Sequence, residues 1–408
     1  MTLRIDAETI IHEAIASQRP EESVKNELYK IIEKMRSVFI VAVGKAAWSM
    51  ASSAAEVIGD RLIAGIVITK YGHIEGQIPK ITCYEAGHPI LDQNGLYATQ
   101  KAINLVSDLH EEDHVVFLLS GGASALFEKP LISLEELNEV NRQLLASGAS
   151  IQEINTIRKR LSGVKGGRFA KLCEPAKVTS IILSDVLGDR PDMIGSGPTI
   201  QDESTSDEAK KIADRLHLNL SLEARQLLEC EIPKQFSNVS NIVIGSVSSL
   251  VNKAITVASN LGYESVLLSD CFDVEAKELG RVLGCIARSN QKKSNVAFIS
   301  GGETIVHLTG NGKGGRNQEV ALSAAQKIAG MKNVLIFSVG SDGTDGPTDE
   351  AGGMVDGTTA LMLHKKGISI SDSLENNDAY HALKAVNGLI MTGPTGTNVN
   401  DLAVILMG

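Results

Sequence analysis

Two nine-residue stretches, LLSGGASAL at 118–126 and FISGGETIV at 298–306, each run an apolar segment into Ser-Gly-Gly. Such a turn suits one of two chemistries: a strained elbow that presents a nucleophilic serine, or a loop of bare N–H groups that holds an anion. The letters around Ser124 are GASAL, without the second glycine of G-x-S-x-G, so the elbow reading loses. An anion loop at a strand end needs only small residues, free N–H groups and hydroxyls, which Ser120, Gly121, Gly122, Ala123 and Ser124 supply. Gly301 and Gly302 of the second stretch are candidates for the same role.

Each turn is followed by Lys-Gly-Gly-Arg: Lys165–Arg168 after the first, and Lys313, Gly314, Gly315 and Arg316 after the second. Adjacent glycines let backbone approach a ligand, and an arginine beside them offers a rigid fork for carboxylate or phosphate. A tight turn with a solvated arginine is the competing explanation for either motif alone. Carboxylates form the next group. Asp185, Asp189 and Asp192 follow one apolar run and lead into Gly195, Ser196 and Gly197; Asp342, Asp345 and Asp349 follow another. Magnesium takes one or two carboxylates together with substrate phosphates, so Asp185, Asp189 and Asp345 are the candidate metal ligands. Asp and Gly also dominate ordinary turns, and each cluster singly has that reading. Lys45, in FIVAVGKAAWSM, falls at a helix start, where the macrodipole disfavours a cation unless an anion lies between them. Among the histidines, His88 in AGHPILDQNG lies nearest to turn chemistry.

Elements that could position these groups are legible. Short apolar runs (SVFIVAV, AGIVIT, HVVFLL, KVTSIILS, NIVIG, SVLLS, NVAFIS, NVLIFSV) alternate with segments of helical period such as 94–109 and 317–329. Repeated strand-then-helix order predicts an α/β fold with two domains, each a largely parallel sheet with flanking helices. The polar stretch IPKQFSNVS suggests domains at 1–235 and 236–408, and whether the last strand, Leu402–Met407, returns to the first domain is open. A length of 408 residues agrees with two domains.

Bulk properties exclude several classes. A formal charge of −10 argues against a sequence-independent grip on nucleic acid. Five cysteines without CxxC or zinc spacing read as buried small hydrophobes in a reducing compartment. The N-terminal MTLRIDAETIIHEAI lacks the apolar region of a signal peptide, and no stretch approaches the roughly 20 apolar residues of a membrane span, so a soluble cytoplasmic protein is expected. No Walker P-loop is present. Gly310, Gly312 and Gly315 do satisfy G-x-G-x-x-G, but late in the chain, where a dinucleotide fingerprint is not expected.

Taken together, VGKAAWSMA, GHPILDQNG, LLSGGASALFEKP, INTIRKRLSGVKGGR, LSDVLGDRPDMIGSGPT, GGETIVHLTGNGKGGRNQE, SVGSDGTDGPTDEAGG and GPTGTNVNDLAVIL resemble the class II glycerate kinases with a C-terminal MOFRL domain, over nearly the whole chain. The resemblance implies two α/β domains with the active site in a cleft between them, ATP and Mg²⁺, and phosphorylation of D-glycerate, in many members to 2-phosphoglycerate. It also implies functional roles for Lys45 and Arg316, which match the family's lysine and arginine. Chemistry suggests Asp189 as acceptor of the hydroxyl proton. Two rivals stand beside this reading: an NAD(P)-dependent hydroxypyruvate reductase, a label that relatives of the family carry, and a non-catalytic sugar-acid or nucleotide sensor. Oligomeric state, monomer or homodimer, is not set by the residues.

Overall fold

The computed structural model describes residues 3–184, 188, 190–232, 234 and 236–408. They form two compact units, one comprising Pro20–Ser184 and Arg190–Ile244, the other Met1–Arg19 and Gly245–Gly408. In the first unit lie strands β1 (Ser37–Val43), β2 (Leu62–Lys70), β3 (Ile81–Ala86), β4 (Asp113–Leu119), β5 (Lys177–Leu183) and β6 (Val239–Gly245). Their order across the sheet is β3-β2-β1-β4-β5-β6, and the pairs from β3 through β5 are parallel. β1, β4 and β5 are nearly continuous apolar runs because helices cover such sheets on both faces. The edge strand β3, ITCYEA, is mostly half-exposed and lacks that run, which is why the sequence does not announce it.

The second unit holds β7 (Glu264–Phe272), β8 (Val296–Gly302), β9 (Val334–Gly340), β10 (Gly352–Asp356), β11 (Leu389–Ile390) and β12 (Asp401–Met407), in the order β11-β10-β9-β12-β8-β7. β7 pairs parallel with β8, whereas β12 lies antiparallel to both β8 and β9, and β10 antiparallel to β9 and β11. Most strands therefore run one way, with β10 and β12 reversed. Every residue of β8, β9 and β12 is buried. The apolar faces of helices Ala276–Ser289 and Arg316–Lys327 pack on this sheet through Leu283, Val320, Phe298, Ile336 and Ile405.

Two expectations about domain organisation need correction, and one open question is answered. β6 was expected to open the second domain after residue 235, but it pairs beside β5, so the first unit continues to Ile244. The last strand does not return to the first domain; it fills the middle of the second sheet. Helix Leu3–Ala16 belongs to the second unit, burying Ala7, Ile10, Ile11, Ala14 and Ile15. All three concern which distant segment a strand or helix packs against, and apolar pattern specifies burial without naming the partner. Expected helices 94–109 and 317–329 appear as Gln93–Val106 and Arg316–Lys327. No helix among the described residues is long and apolar enough to cross a membrane.

The N-terminal helix is held by a buried polar contact as well as by its apolar face: Tyr263 Oη donates to Asp6 Oδ2 at 2.7 Å. Tyr263→Phe leaves that buried carboxylate without its donor, which should cost about 1–3 kcal/mol. Urea unfolding should show the loss, and Asp6→Ala in the Tyr263→Phe background should add less than Asp6→Ala alone.

Candidate active site

In the first sheet the strand order reverses between β1 and β4, and open α/β sheets leave a crevice outside the strand ends at such a point. Parallel register sets Val43 opposite Leu119, so both strands stop at one level and their loops must interlock. Ser120 N–H donates to Val43 O at 2.9 Å, Lys45 N–H to Gly121 O at 2.9 Å, and Ala46 N–H to Ser120 Oγ at 3.1 Å. Gly44 permits this: its φ is +121°, and a Cβ there would lie 2.3 Å from Ser120 Oγ. Lys45 thereby stands just before helix Ala47–Ile58, whose N-cap, Ala46, makes no side-chain capping bond. The Lys45 ammonium is half-buried and has no hydrogen-bond or ion-pair partner among the described residues. The N–H groups of Gly121, Gly122, Ala123 and Ser124 likewise meet no acceptor among them.

Neighbouring strand ends bring further basic side chains. Lys70 ends β2, and His73 Nδ1 lies 3.1 Å from Lys45 O. His88, just past β3, lies against Gly122: a Cβ on that glycine would be 3.1 Å from His88 Cδ2 and 3.4 Å from Lys45 Cγ. Burial lowers the His88 pKa, and Lys45, Lys70 and His73 lower it further. The strand ends thus present lysine, neutral imidazole and open N–H groups together, which is an environment for an anion. His88 is assembled with the site although it was not among the candidate site residues. β3 was not recognised as a strand, so the position of AGHPI at a strand end was hidden.

Two further motifs support this loop from below. Gly166 and Gly167 N–H groups donate to Ser196 O and Gly197 O at 3.0 and 2.8 Å, and a Cβ at Gly195 would be 3.0 Å from Ala123 Cβ. Ser196 holds φ of +59°, with its hydroxyl donating to Asn155 Oδ1 at 2.9 Å. The buried Lys165 ammonium donates to Ser124 O at 2.9 Å and is paired with Glu128. Its charge is therefore spent inside the protein, and the first Lys-Gly-Gly motif fixes the anion loop's position. Asp192 accepts both arms of Arg190 at 2.9 Å. Asp185 and Asp189 lie outside the described residues.

In the second unit the glycines have other employment. Ser300, Gly301 and Gly302 form no turn: they are the buried end of β8, where Gly301 clears Val247 and Val251 and Gly302 clears the backbone of Phe272. Cβ atoms at Gly310 and Gly312 would come within 2.4–2.5 Å of Asn376, and one at Gly315 within 2.3 Å of Asp345. Gly314 packs on Ala379, and Lys313 Nζ lies 4.7 Å from the centre of the Tyr380 ring. These residues pack against protein where an anion loop was expected, and the same close approaches fill the space a dinucleotide pyrophosphate would need.

Arg316, the first residue of helix Arg316–Lys327, holds Asp401 through Nε and Nη2 at 2.6 and 3.0 Å and Glu303 through Nη1 at 2.9 Å. Burial works against its charge, but Asp401, Glu303 and Asp345 together outweigh it, so the guanidinium pKa rises. Asp401 was not among the candidates; it stands in VND at the last strand's entry, far from any glycine motif. Asp345 was expected as a metal ligand and is corrected to a helix cap. Its Oδ1 accepts Asn317 N–H at 3.1 Å and its Oδ2 accepts Gln318 N–H at 2.8 Å. Those are two of the N–H groups that a helix start leaves unsatisfied, and they occupy both oxygens.

Burial pushes the Asp345 carboxyl up to about 7 from an ordinary 3.8. Because the folded value is the higher, the stability contributed by the protonated form is complete below 3.8 and is lost as pH rises through 7. Wild type should therefore lose stability relative to Asp345→Asn, which cannot ionise, by up to about 1.4 kcal/mol per pH unit across that window. Paired urea titrations at several pH values measure the difference.

Comparison with known proteins matches this architecture along its whole length. A family model described as "Domain of unknown function (DUF4147)" matches residues 6–229, and the MOFRL family model matches residues 296–401. A D-glycerate 2-kinase from Thermotoga maritima is 48% identical, with 98% of this chain and 97% of that protein covered. A glycerate 2-kinase from Pyrococcus horikoshii is 39% identical, with 98% and 96% covered. A crystal structure of glycerate kinase from Thermotoga maritima superposes with a TM-score of 0.96 at 47% identity, covering 100% of this chain and 99% of that one. The chain belongs to the class II glycerate kinase family whose C-terminal part is the MOFRL domain.

Proposed function

We propose that the protein transfers the γ-phosphoryl group of ATP to the 2-hydroxyl of D-glycerate, giving 2-phosphoglycerate and ADP, in the cytoplasm. The observation that carries this is the unpartnered Lys45 beside the open N–H groups of Gly121–Ser124 at the sheet's switch point. Phosphoryl transfer is largely positioning and charge neutralisation, and this arrangement supplies both for an anionic substrate. Lys45 and the loop hold anionic oxygens, with Ser120 and Ser124 as further donors.

Arg316 is proposed to neutralise charge on phosphate oxygens. Its side chain is 32% exposed, and among the described residues Nη1 is held only by the more exposed Glu303, which a phosphate could replace. Magnesium would enter with the nucleotide, where one or two carboxylates suffice beside phosphates. Asp185 and Asp189 are the residues proposed to hold it, and the ion would supply charge neutralisation on the phosphates. Against the reductase reading, Gly310, Gly312 and Gly315 pack on Asn376 and Asp345.

Incubation with ATP, Mg²⁺ and D-glycerate should release ADP only when all three are present, with ³¹P NMR showing phosphate on the 2-oxygen. Glycerate-independent ADP release, full activity in EDTA, or NADH oxidation with hydroxypyruvate would refute the reading.

Lys45→Met should lower kcat at least about a hundredfold, as removal of a donor to developing charge does. The melting temperature of the unliganded protein should hold or rise slightly, because a cation leaves a helix start.

Arg316→Lys keeps the charge and loses the fork, so its kcat should fall nearly as far as that of Arg316→Ala. Both variants should also lose on the order of 2–3 kcal/mol, less than a fully buried pair because the guanidinium is partly exposed. Steady-state kinetics and unfolding on the same preparations separate the two effects.

A further inference from the structure

We propose that His88 is a catalytic residue, accepting through Nε2 the proton of the substrate hydroxyl that attacks the phosphoryl group. The proposal rests on the kinase reading and names a group within the same site. The placement of the ring is built by several elements. Register between β2 and β3 sets Lys70 beside Ala86, so the chain after β3 starts at the level of the site. Asp92 then ties the 87–92 turn: its Oδ2 accepts Gly87 N–H at 2.9 Å and Tyr71 Oη–H at 2.6 Å, and its Oδ1 accepts Gly95 N–H at 2.9 Å. Asn94 Nδ2 donates to Tyr71 Oη at 2.8 Å and completes the brace.

So held, the imidazole lies against Gly122, the glycine of the loop with φ of +91°. Any side chain there would displace the ring, Nε2 being 3.2 Å from the Cβ position. Neither ring nitrogen has a hydrogen-bond partner among the described residues, in contrast to His73, His114 and His381, which all have one. A braced, half-buried imidazole beside an anion loop, with its nitrogens unused by protein, is suited to a ligand.

Its neighbours decide what it does with that ligand. Lys45 faces it from the β1 end, Lys70 and His73 from the β2 end, and Asp92 of its own turn is consumed by the brace. Lys45 and the loop already supply positive charge, and burial, helped by Lys45, Lys70 and His73, holds the ring's pKa below its ordinary value. A neutral imidazole adds a proton acceptor, and both nitrogens of His88 are unengaged among the described residues, whereas His73 Nδ1 is engaged with Lys45 O. In the step, the hydroxyl oxygen forms a bond to the γ-phosphorus, its proton passes to His88, the bond from phosphorus to the β,γ-bridging oxygen breaks, and ADP leaves. The imidazolium returns its proton to solvent after product release.

Kinetics of His88→Gln and His88→Ala with D-glycerate, ATP and Mg²⁺ from about pH 5 to about pH 8 test the assignment. Both variants should lose kcat by about a hundredfold or more, with glycerate KM within about threefold of wild type. The acidic limb of the wild-type kcat/KM profile should flatten in both, and added imidazole should restore part of the activity of His88→Ala. Retained kcat in His88→Gln, an unchanged acidic limb, or a rise in glycerate KM alone would overturn the assignment, the last making His88 an anchor. Melting temperature and ATP binding, measured on each variant, ensure that the comparison is between folded proteins. Wild-type protein that releases no ADP on adding glycerate would instead overturn the kinase reading.

Discussion

The contact between Gly44 and Ser120 governs the site. β1 and β4 end side by side, and the loop leaving each strand has to pass through space that the other needs. A residue with a side chain at 44 would collide with the serine, and a different register would separate the lysine from the anion loop. Once the two backbones cross there, the remaining positions follow. Ala46 N–H finds the serine hydroxyl, Lys45 is left facing outward without a partner among the described residues, and Gly121 accepts the lysine's own N–H. The cation sits at a helix start, where the macrodipole opposes it, because the same helix start and the same loop favour an anion between them.

Glycine performs two unlike tasks in this chain. In the first unit Gly44 lets two strand-end loops cross at Ser120, and Gly122 accommodates an imidazole. In the second unit Gly301, Gly302, Gly310, Gly312 and Gly315 let one segment of protein press against another. The consequence there is rigidity around Arg316. Asp345 reaches across to cap the helix that Arg316 begins, and Asp401, at the entry to the central strand β12, takes the guanidinium in a two-pronged bond. A guanidinium so oriented exposes a defined edge, and Glu303 alone stands on it.

Much of this was legible in the letters. The apolar runs gave eight of the strands close to their observed positions, because a buried parallel strand is apolar on both faces. Lys45 and the Ser120–Ser124 loop were identifiable from the types of residue that border those runs. The strands β3, β10 and β11 were not: β3 is half-exposed and mixes polar with apolar residues, β10 opens on two glycines, and β11 is two residues long. His88 went unassigned with β3. The second Ser-Gly-Gly and its Lys-Gly-Gly-Arg misled for a related reason: a glycine cleared for a ligand and one cleared for a neighbouring backbone are the same letter.

By itself, then, the sequence determined the α/β class, the family, and the chemistry available at the ends of β1 and β4, since these depend on local runs and on residues adjacent in the chain. Tertiary structure alone decided which strand lies beside which, that β6 closes the first sheet and β12 fills the second, and that the N-terminal helix packs with the far end of the chain. It also decided that Lys165 and Asp345 are spent on internal partners while Lys45 and His88 are not. The physical reason is common to all of these. Burial is encoded residue by residue, whereas the identity of a partner, and with it whether a charge is satisfied or left for a ligand, is fixed only when distant segments meet.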